Sequence, residues 1–336
     1  MSRFRTRLPL FLLVGATLAS VPVVLGFFGT VHPAFDSFSH LRAHLAVAMA
    51  VLALPLLFTG LRREGAVALL FAVMAFGTTL GGVQDYLSGN SARADPVSGA
   101  RYSLVQINLR FDNPEPKRIL QMIAREKPDV ITYEEAGEAW KPWLDILQGS
   151  YPYRLNCAWA EHTWGVGILS RRPFSENGRK DCVGDGLLAI ASINFGGTDV
   201  NVAALHFSWP WPRRQPYQLR RVEPELQKLK GPLVIGGDLN AAPWSETVRR
   251  VEAASGARHM TGIGGTWLIR YLPASLAPYL GLPIDQVFVS KEIEAPKASA
   301  RPDAGSDHLP VRLDFSVPMP VHPDEDEAPT QQVMAQ

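Results

Sequence analysis

The chain has 336 residues, in which 33 Lys and Arg nearly balance 32 Asp and Glu. A hydrophobic share of 46% and only two cysteines exclude a disordered chain, a collagen and a disulfide-stapled miniprotein. Residues 101–315 carry 26 basic against 24 acidic side chains with no long basic run, which excludes a surface built to coat nucleic acid.

Charge is scarce at the front: residues 1–100 hold seven Lys and Arg and four Asp and Glu. Three stretches, 8–28, 43–61 and 65–84, contain no charged side chain. Each is near the ~20 residues a helix needs to cross a hydrocarbon core of about 30 Å. They predict a membrane anchor of three transmembrane helices over residues 1–85, with the lipid bilayer as partner of residues 8–84. The first stretch is longer than the apolar part of a usual cleaved signal peptide. Arg3, Arg5 and Arg7 precede it, and Arg62 and Arg63 lie between the second and third, whereas residues 29–42 have only Arg42. The positive-inside rule then puts the N-terminus in the cytoplasm. The rest falls on the far side of a multi-pass membrane protein, periplasmic if the membrane is a bacterial inner membrane. His32, His40 and His44 cluster in the first outer loop and read as interfacial histidines. Residues 86–100 are small and polar, as in a linker, and the Pro-rich acidic residues 317–336 read as a disordered tail.

Residues 101–316 alternate strand-like and helical patterns. Strands are expected at 102–107, 129–133, 187–194, 199–205, 233–236, 284–290 and 309–315. Helices are expected from Asn113-Pro114 to about 126, over 217–230 and over 244–254. Gly196-Gly197 marks a two-residue hairpin. The pattern predicts one α/β domain of mixed strand pairing.

Polar residues gather at the strand ends. Asn108 closes the first strand and Glu135 follows the second; His206 closes NVAAL; Asp238 and Asn240 follow LVIGG; Asp285 opens IDQVFVS; Asp307 and His308 precede LPVRLDF. Four carboxylates, two histidines and two amides without a cysteine suit a hard cation, Mg²⁺ or Mn²⁺, held by carboxylates and substrate phosphate. Zinc would want closer His/Cys spacing. Metal-assisted displacement at phosphorus is the chemistry this set fits best.

The segments VQINLR, DVITYEEAG, GVGILSRRP, ALHF, VIGGDLNAAPWS, IDQVFVS and GSDHLPV resemble the endonuclease/exonuclease/phosphatase superfamily over Tyr102–Phe315. The resemblance implies a four-layer α/β/β/α sandwich of the deoxyribonuclease I type with one site at an edge of the sandwich. It makes Glu135 the principal metal ligand, helped by Asn108 and Asp307. It makes Asp238 the group that orients or deprotonates water, with Asn240 holding that water and the phosphoryl group. His308 becomes the catalytic histidine with Asp285 as its carboxylate partner, and His206 a second histidine on phosphate. Two positions depart from the usual pattern. Tyr133-Glu134-Glu135 stands for Leu-Gln-Glu, with Glu134 expected to point opposite Glu135, and Asp285-Gln286 stands for Asp-His.

Trp209, Trp211 and Arg213 in HFSWPWPRR are candidate substrate contacts at the rim of the site. Cys157 and Cys182 are either a disulfide, which an oxidising compartment permits, or two buried thiols. The reading is a membrane-anchored phosphoesterase, most simply a phosphodiester hydrolase, with nucleic acid and lipid headgroups both open as substrate. The alternative is a non-catalytic binding module of the same fold on a membrane stalk.

Overall fold

The computed structural model describes residues 2–81, 83, 100–157, 165–269 and 271–317. The predicted linker up to residue 99, the predicted tail beyond 317 and the end of the third predicted span lie outside them.

The front of the chain forms α1 (Ser2–Leu25), α2 (Pro33–Ser39), α3 (Arg42–Ala53) and α4 (Arg62–Gly77). Among the described residues, three full-length spans do not form. Among the described residues, one helical stretch, Arg7–Leu25, is long and apolar enough to cross a membrane. A second exists only if Pro33–Ser39 and Arg42–Phe58, bent by 61°, count as one. The reason lies in Pro55, which sits in a 3₁₀ turn over Leu54–Phe58 and ends α3 after 12 residues. At 1.5 Å per residue α3 is about 18 Å long, and the 16-residue α4 about 24 Å, both short of a bilayer core.

The packing of these helices is inside-out by the standard of a water-soluble core. Ala16, Ala46, Ala53, Ala72 and Ala75 are buried where α1, α3 and α4 meet, while Phe11, Leu18, Val51, Val67, Leu70 and Met74 are exposed. A Cβ added at Gly65 would stand 2.6 Å from the Cβ of Leu56, so the small residue is what allows the close approach there. Small residues at helix contacts and large apolar ones outside are the pattern of helices in lipid.

The remainder builds two six-stranded sheets. Sheet A has the order β11 (Glu294–Ala300), β12 (Val311–Ser316), β1 (Arg101–Asn108), β2 (Val130–Ala136), β4 (Gly165–Ser170), β3 (Tyr153–Cys157). Sheet B has the order β5 (Lys180–Val183), β6 (Leu188–Phe195), β7 (Thr198–His206), β8 (Leu233–Asp238), β10 (Asp285–Val289), β9 (Arg258–His259). Leu104, Val130, Val166 and Ile168 of sheet A pack against Ala189, Val202, Val234 and Val287 of sheet B. Outside sheet A lie α5 (Pro116–Glu126) and α6 (Lys141–Ile146), through Ile119, Met122 and Leu144 on Val105, Ile107 and Ile131. Outside sheet B lie α7 (Gln215–Leu226) and α8 (Glu246–Ser255), through Leu219, Val222, Val248 and Val251 on Leu205 and Ile235. These are the four layers expected. The strands of both inner sheets are buried on two faces, so they read as unbroken apolar runs.

Local chemistry sets the boundaries. The Asn113 side chain accepts from the Glu115 amide at 2.7 Å in a turn, so α5 begins at Pro116, two residues later than the sequence signal. The hairpin between β6 and β7 turns on Gly196 and Gly197, both at positive φ. Cys157 and Cys182 are joined as a disulfide, tying β3 of sheet A to β5 of sheet B.

Candidate active site

Strand register places the polar residues abreast. On sheet B, His206 of β7 and Asp285 of β10 both pair with Asp238 of β8. On sheet A, Asn108 of β1 pairs with Glu134 of β2. The two sheets approach each other closely here. A Cβ at Gly236 would stand 2.6 Å from the Thr132 hydroxyl across the gap, and one at Gly237 would collide with the Leu205 carbonyl. That is the physical reason for the two glycines before Asp238.

Asp238 is the hub. Its Oδ2 accepts from Asn108 Nδ2 at 3.0 Å and from Asn240 Nδ2 at 3.2 Å, and its Oδ1 accepts from the Asn240 amide at 2.8 Å. His206 Nε2 and His308 Nε2 each lie 3.8 Å from Oδ2. Glu135 Oε1 lies 3.9 Å from His206 Nε2, and Glu135 Oε2 accepts from the Phe111 amide at 3.3 Å. His308 Nδ1 and Asp285 Oδ2 are 2.9 Å apart, both buried. Two clusters result, Glu135–His206–Asp238 and Asp238–Asp285–His308, sharing Asp238. Their ligand atoms lie within 4.8 Å of one another in each, so the first can hold a metal ion. Its donors are two carboxylates and an imidazole, with the Asn108 amide beside them, a set that fits a hard divalent cation.

Neither cluster includes Asp307, whose Oδ1 lies 3.4 Å from Ser306 Oγ on the loop that carries His308. Trp209 is exposed and stands edge-on to Trp267, with ring centroids 5.2 Å apart, and Trp267 bridges the backbone of His308. Trp211 is exposed and offers its carbonyl to Ser37 Oγ; Arg213 is exposed.

Backbone conformation adds to the constellation. Glu135 and Asn240 both have positive φ, 57° and 46°. A left-handed backbone costs a non-glycine residue about 1–3 kcal/mol in such regions, least for Asn, and collects at functional sites. At Glu135 it coincides with a bulge, because Tyr133 pairs with Gly167 but Ala136 with Gly165. Glu134 is wholly buried and accepts from Gln106 Nε2 at 2.8 Å. The same Gln106 amide donates to Asp285 Oδ1 at 2.9 Å, so Gln106 ties the second strand to the Asp285–His308 pair.

Burial pushes the Asp238 carboxyl up to about 8, against the pull of His308. Burial works against a charged His308, but Asp285 and Asp238 outweigh it and its pKa stands well above the ordinary value. Burial holds His206 below its ordinary value despite Glu135. Burial, with Asp285 nearby, drives the Glu134 carboxyl well above the carboxylate range.

Sequence reasoning missed the contribution of the helical front. Asp36 of α2 accepts from the Glu246 amide at 2.8 Å and the Thr247 amide at 3.2 Å, capping α8. His40 Nε2 lies 3.0 Å from the Asn240 carbonyl, and Trp244 Nε1 donates to the Ser39 carbonyl. The loop read as merely interfacial is therefore packed on the backbone that carries Asp238 and Asn240. Only the clustering of three histidines hinted at it.

The sequence profile of the Endonuclease/Exonuclease/phosphatase family matches residues 105–308. The UPF0294 protein VV2535 of Vibrio vulnificus (strain YJ016) is 31% identical over 120 residues, 35% of this chain. The match spans 39% of that relative's length. Among solved structures, D. rerio TDP2 complexed with single strand DNA product superposes with a TM-score of 0.51 at 18% identity, covering 64% of this chain and 99% of that one. An AP endonuclease from Archaeoglobus fulgidus gives 0.51 at 17% identity, covering 64% and 100%. An endonuclease/exonuclease/phosphatase from Bacteroides vulgatus gives 0.53 at 16%, covering 65% and 100%. At these identities the structures share the fold.

Proposed function

The chain belongs to the endonuclease/exonuclease/phosphatase family, and from that premise we propose that it is a membrane-anchored, Mg²⁺- or Mn²⁺-dependent phosphodiester hydrolase. The observation that carries the reading is the pair of clusters meeting at Asp238, because water activation and charge stabilisation need a base, a metal position and an imidazolium in one place.

In this reading Glu135 is the main ligand, with Asn108 beside it and His206 and Asp307 around the phosphate. The bound cation supplies Lewis-acid stabilisation of the charge gathering on the phosphoryl oxygens. Asp238 takes a proton from the attacking water. Burial raises the basicity of Asp238, and a bound cation and the His308 imidazolium would favour its charged form, in which it can take the proton. Asn240 holds Asp238 by two hydrogen bonds, so the base does not turn away from its water. His308, kept protonated by Asp285, faces the phosphoryl oxygens as an imidazolium and gives its proton to the leaving oxygen. Trp209, Trp211 and Arg213 line the rim.

Anchoring rests on α1 and on the inside-out packing of α1, α3 and α4. With α1 as a single span, Arg3, Arg5 and Arg7 at its start and the Cys157–Cys182 disulfide both support a site outside the cytoplasm. The test is hydrolysis of bis(p-nitrophenyl) phosphate by the detergent-purified chain with and without Mg²⁺. Asp238→Ala or His308→Ala should lower turnover ~10²-fold or more, the scale of one acid–base group. Full activity in either variant, or without divalent metal, would overturn the reading.

A further inference from the structure

A cavity of about 460 Å³ lies between the anchor helices and the sandwich. That volume is within the roughly 300–1,000 Å³ of small-ligand sites. It is lined by Val47 of α3, Phe76 of α4 and Leu80, by Met260 and Ile263, and by Asp285. Asp285 is the partner of His308, so the cavity adjoins the candidate catalytic cluster at that residue. The outer lip is the segment between β9 and β10, where Ile269, Leu272, Leu276, Tyr279 and Leu280 are exposed. His44 Nε2 on α3 lies 2.9 Å from the Leu280 carbonyl and holds that lip against the anchor.

We propose that this cavity receives an acyl chain of a membrane phospholipid whose phosphate lies at the Glu135–Asp238–His308 cluster, making the substrate a phospholipid drawn from the bilayer. The proposal rests on the phosphodiesterase reading above and narrows its substrate class. Three observations carry it together. The helices that line it present apolar side chains outward, as lipid-facing helices do. An exposed run of Tyr and Leu beside such helices is the composition of a membrane interface. No Lys or Arg is among the described residues lining the cavity, so it offers a polyanion no fixed cation, and its lining away from Asp285 is largely apolar.

The chemistry balances. The oxygen of water bonds to phosphorus and passes a proton to Asp238, the P–O bond to the leaving alkoxide breaks, and that oxygen takes a proton from His308. One phospholipid and one water give a phosphate monoester and an alcohol, and the proton on Asp238 makes good the one His308 gave up.

The experiment uses the full chain in detergent with Mg²⁺. Three substrates are compared: vesicles of phosphatidylethanolamine, phosphatidylglycerol and phosphatidylcholine; bis(p-nitrophenyl) phosphate; and plasmid DNA. Wild type is expected to cleave at least one vesicle lipid in preference to DNA. Ala43→Trp, which fills the cavity from α3, should lower the ratio of lipid to soluble-diester turnover at least tenfold. Tyr279→Asp, at a position 83% exposed and so safe for folding, should raise the KM for vesicles several-fold. Soluble diester or DNA cleaved with none of the three lipids touched, or an unchanged ratio in both variants, would overturn the proposal. Turnover of nothing would overturn the phosphodiesterase reading itself.

Discussion

Asp36 offers a direct probe of how the helical front supports the sandwich. The first four amides of a helix have no partner within it. In α8, Ser245 Oγ takes the Val248 amide at 3.2 Å, and Asp36, contributed from some two hundred residues away, takes those of Glu246 and Thr247. A hydrogen bond to a charged group contributes about 1.5–3 kcal/mol, and a carboxylate at a helix N-terminus about 0.3–1 kcal/mol. Part of this is recovered when water reaches the freed amides, so Asp36→Ala should cost about 2–4 kcal/mol in the local opening of the first turn. At about 1.4 kcal/mol per factor of ten, amide hydrogen exchange over residues 244–250 should speed up by roughly 30-fold to 1,000-fold. Asp36→Asn retains an acceptor and should recover about half of the free energy. Protection unchanged within threefold in Asp36→Ala would refute the idea that the helical front caps this helix.

Asp285→Asn should lower the pKa of His308, read by imidazole proton NMR on the metal-free chain. His308 is raised in the fold, so its protonated form and the stability it brings are present at low pH and lost as pH rises through the raised value. In Asp285→Asn the alkaline fall in activity should therefore move to lower pH, and an unmoved profile would remove Asp285 from its role. Gly237→Ala should prevent β7 and β8 from pairing normally, because the new Cβ meets the Leu205 carbonyl; a wild-type melting curve would contradict the packing. Cys157 and Cys182 close a loop of 25 residues, for which loss of the bond costs about 3.5 kcal/mol in the chain-entropy account. The unfolded, non-reduced chain should accordingly show no reactive thiol, and two would contradict the bond.

The inner strands were legible because burial on both faces turned them into apolar runs, as in YSLVQI and LVIGG. Of the five strands missed, β3, β5, β9 and β11 are sheet edges, where a polar stretch such as EAPKASA leaves no hydrophobic period to read, and β4 is an inner strand whose short run GVGILS is interrupted by glycine. The residues of the site were legible one by one, each at the end of a strand, but their convergence on Asp238 depends on register and on the two glycines before it. Glu134 was expected to point away from Glu135 by simple alternation. The bulge and the left-handed Glu135 govern their directions instead, and no local sequence signal announces such a bulge. The three-span reading failed because counting apolar residues ignores Pro55, which ends α3 early. The contacts of Asp36 with the start of α8 and of His40 with the Asn240 carbonyl were illegible, since nothing near either residue names a partner two hundred positions away.

The proposed function stands or falls on Glu135 being the main ligand of one divalent cation in the cluster it forms with His206 and Asp238. Mn²⁺ titration followed by electron paramagnetic resonance tests it without any assumption about substrate. One bound Mn²⁺ per chain in the wild type, with affinity falling at least tenfold in Glu135→Gln and little changed in His308→Gln, is the expected result. Mn²⁺ binding that Glu135→Gln leaves intact would contradict it.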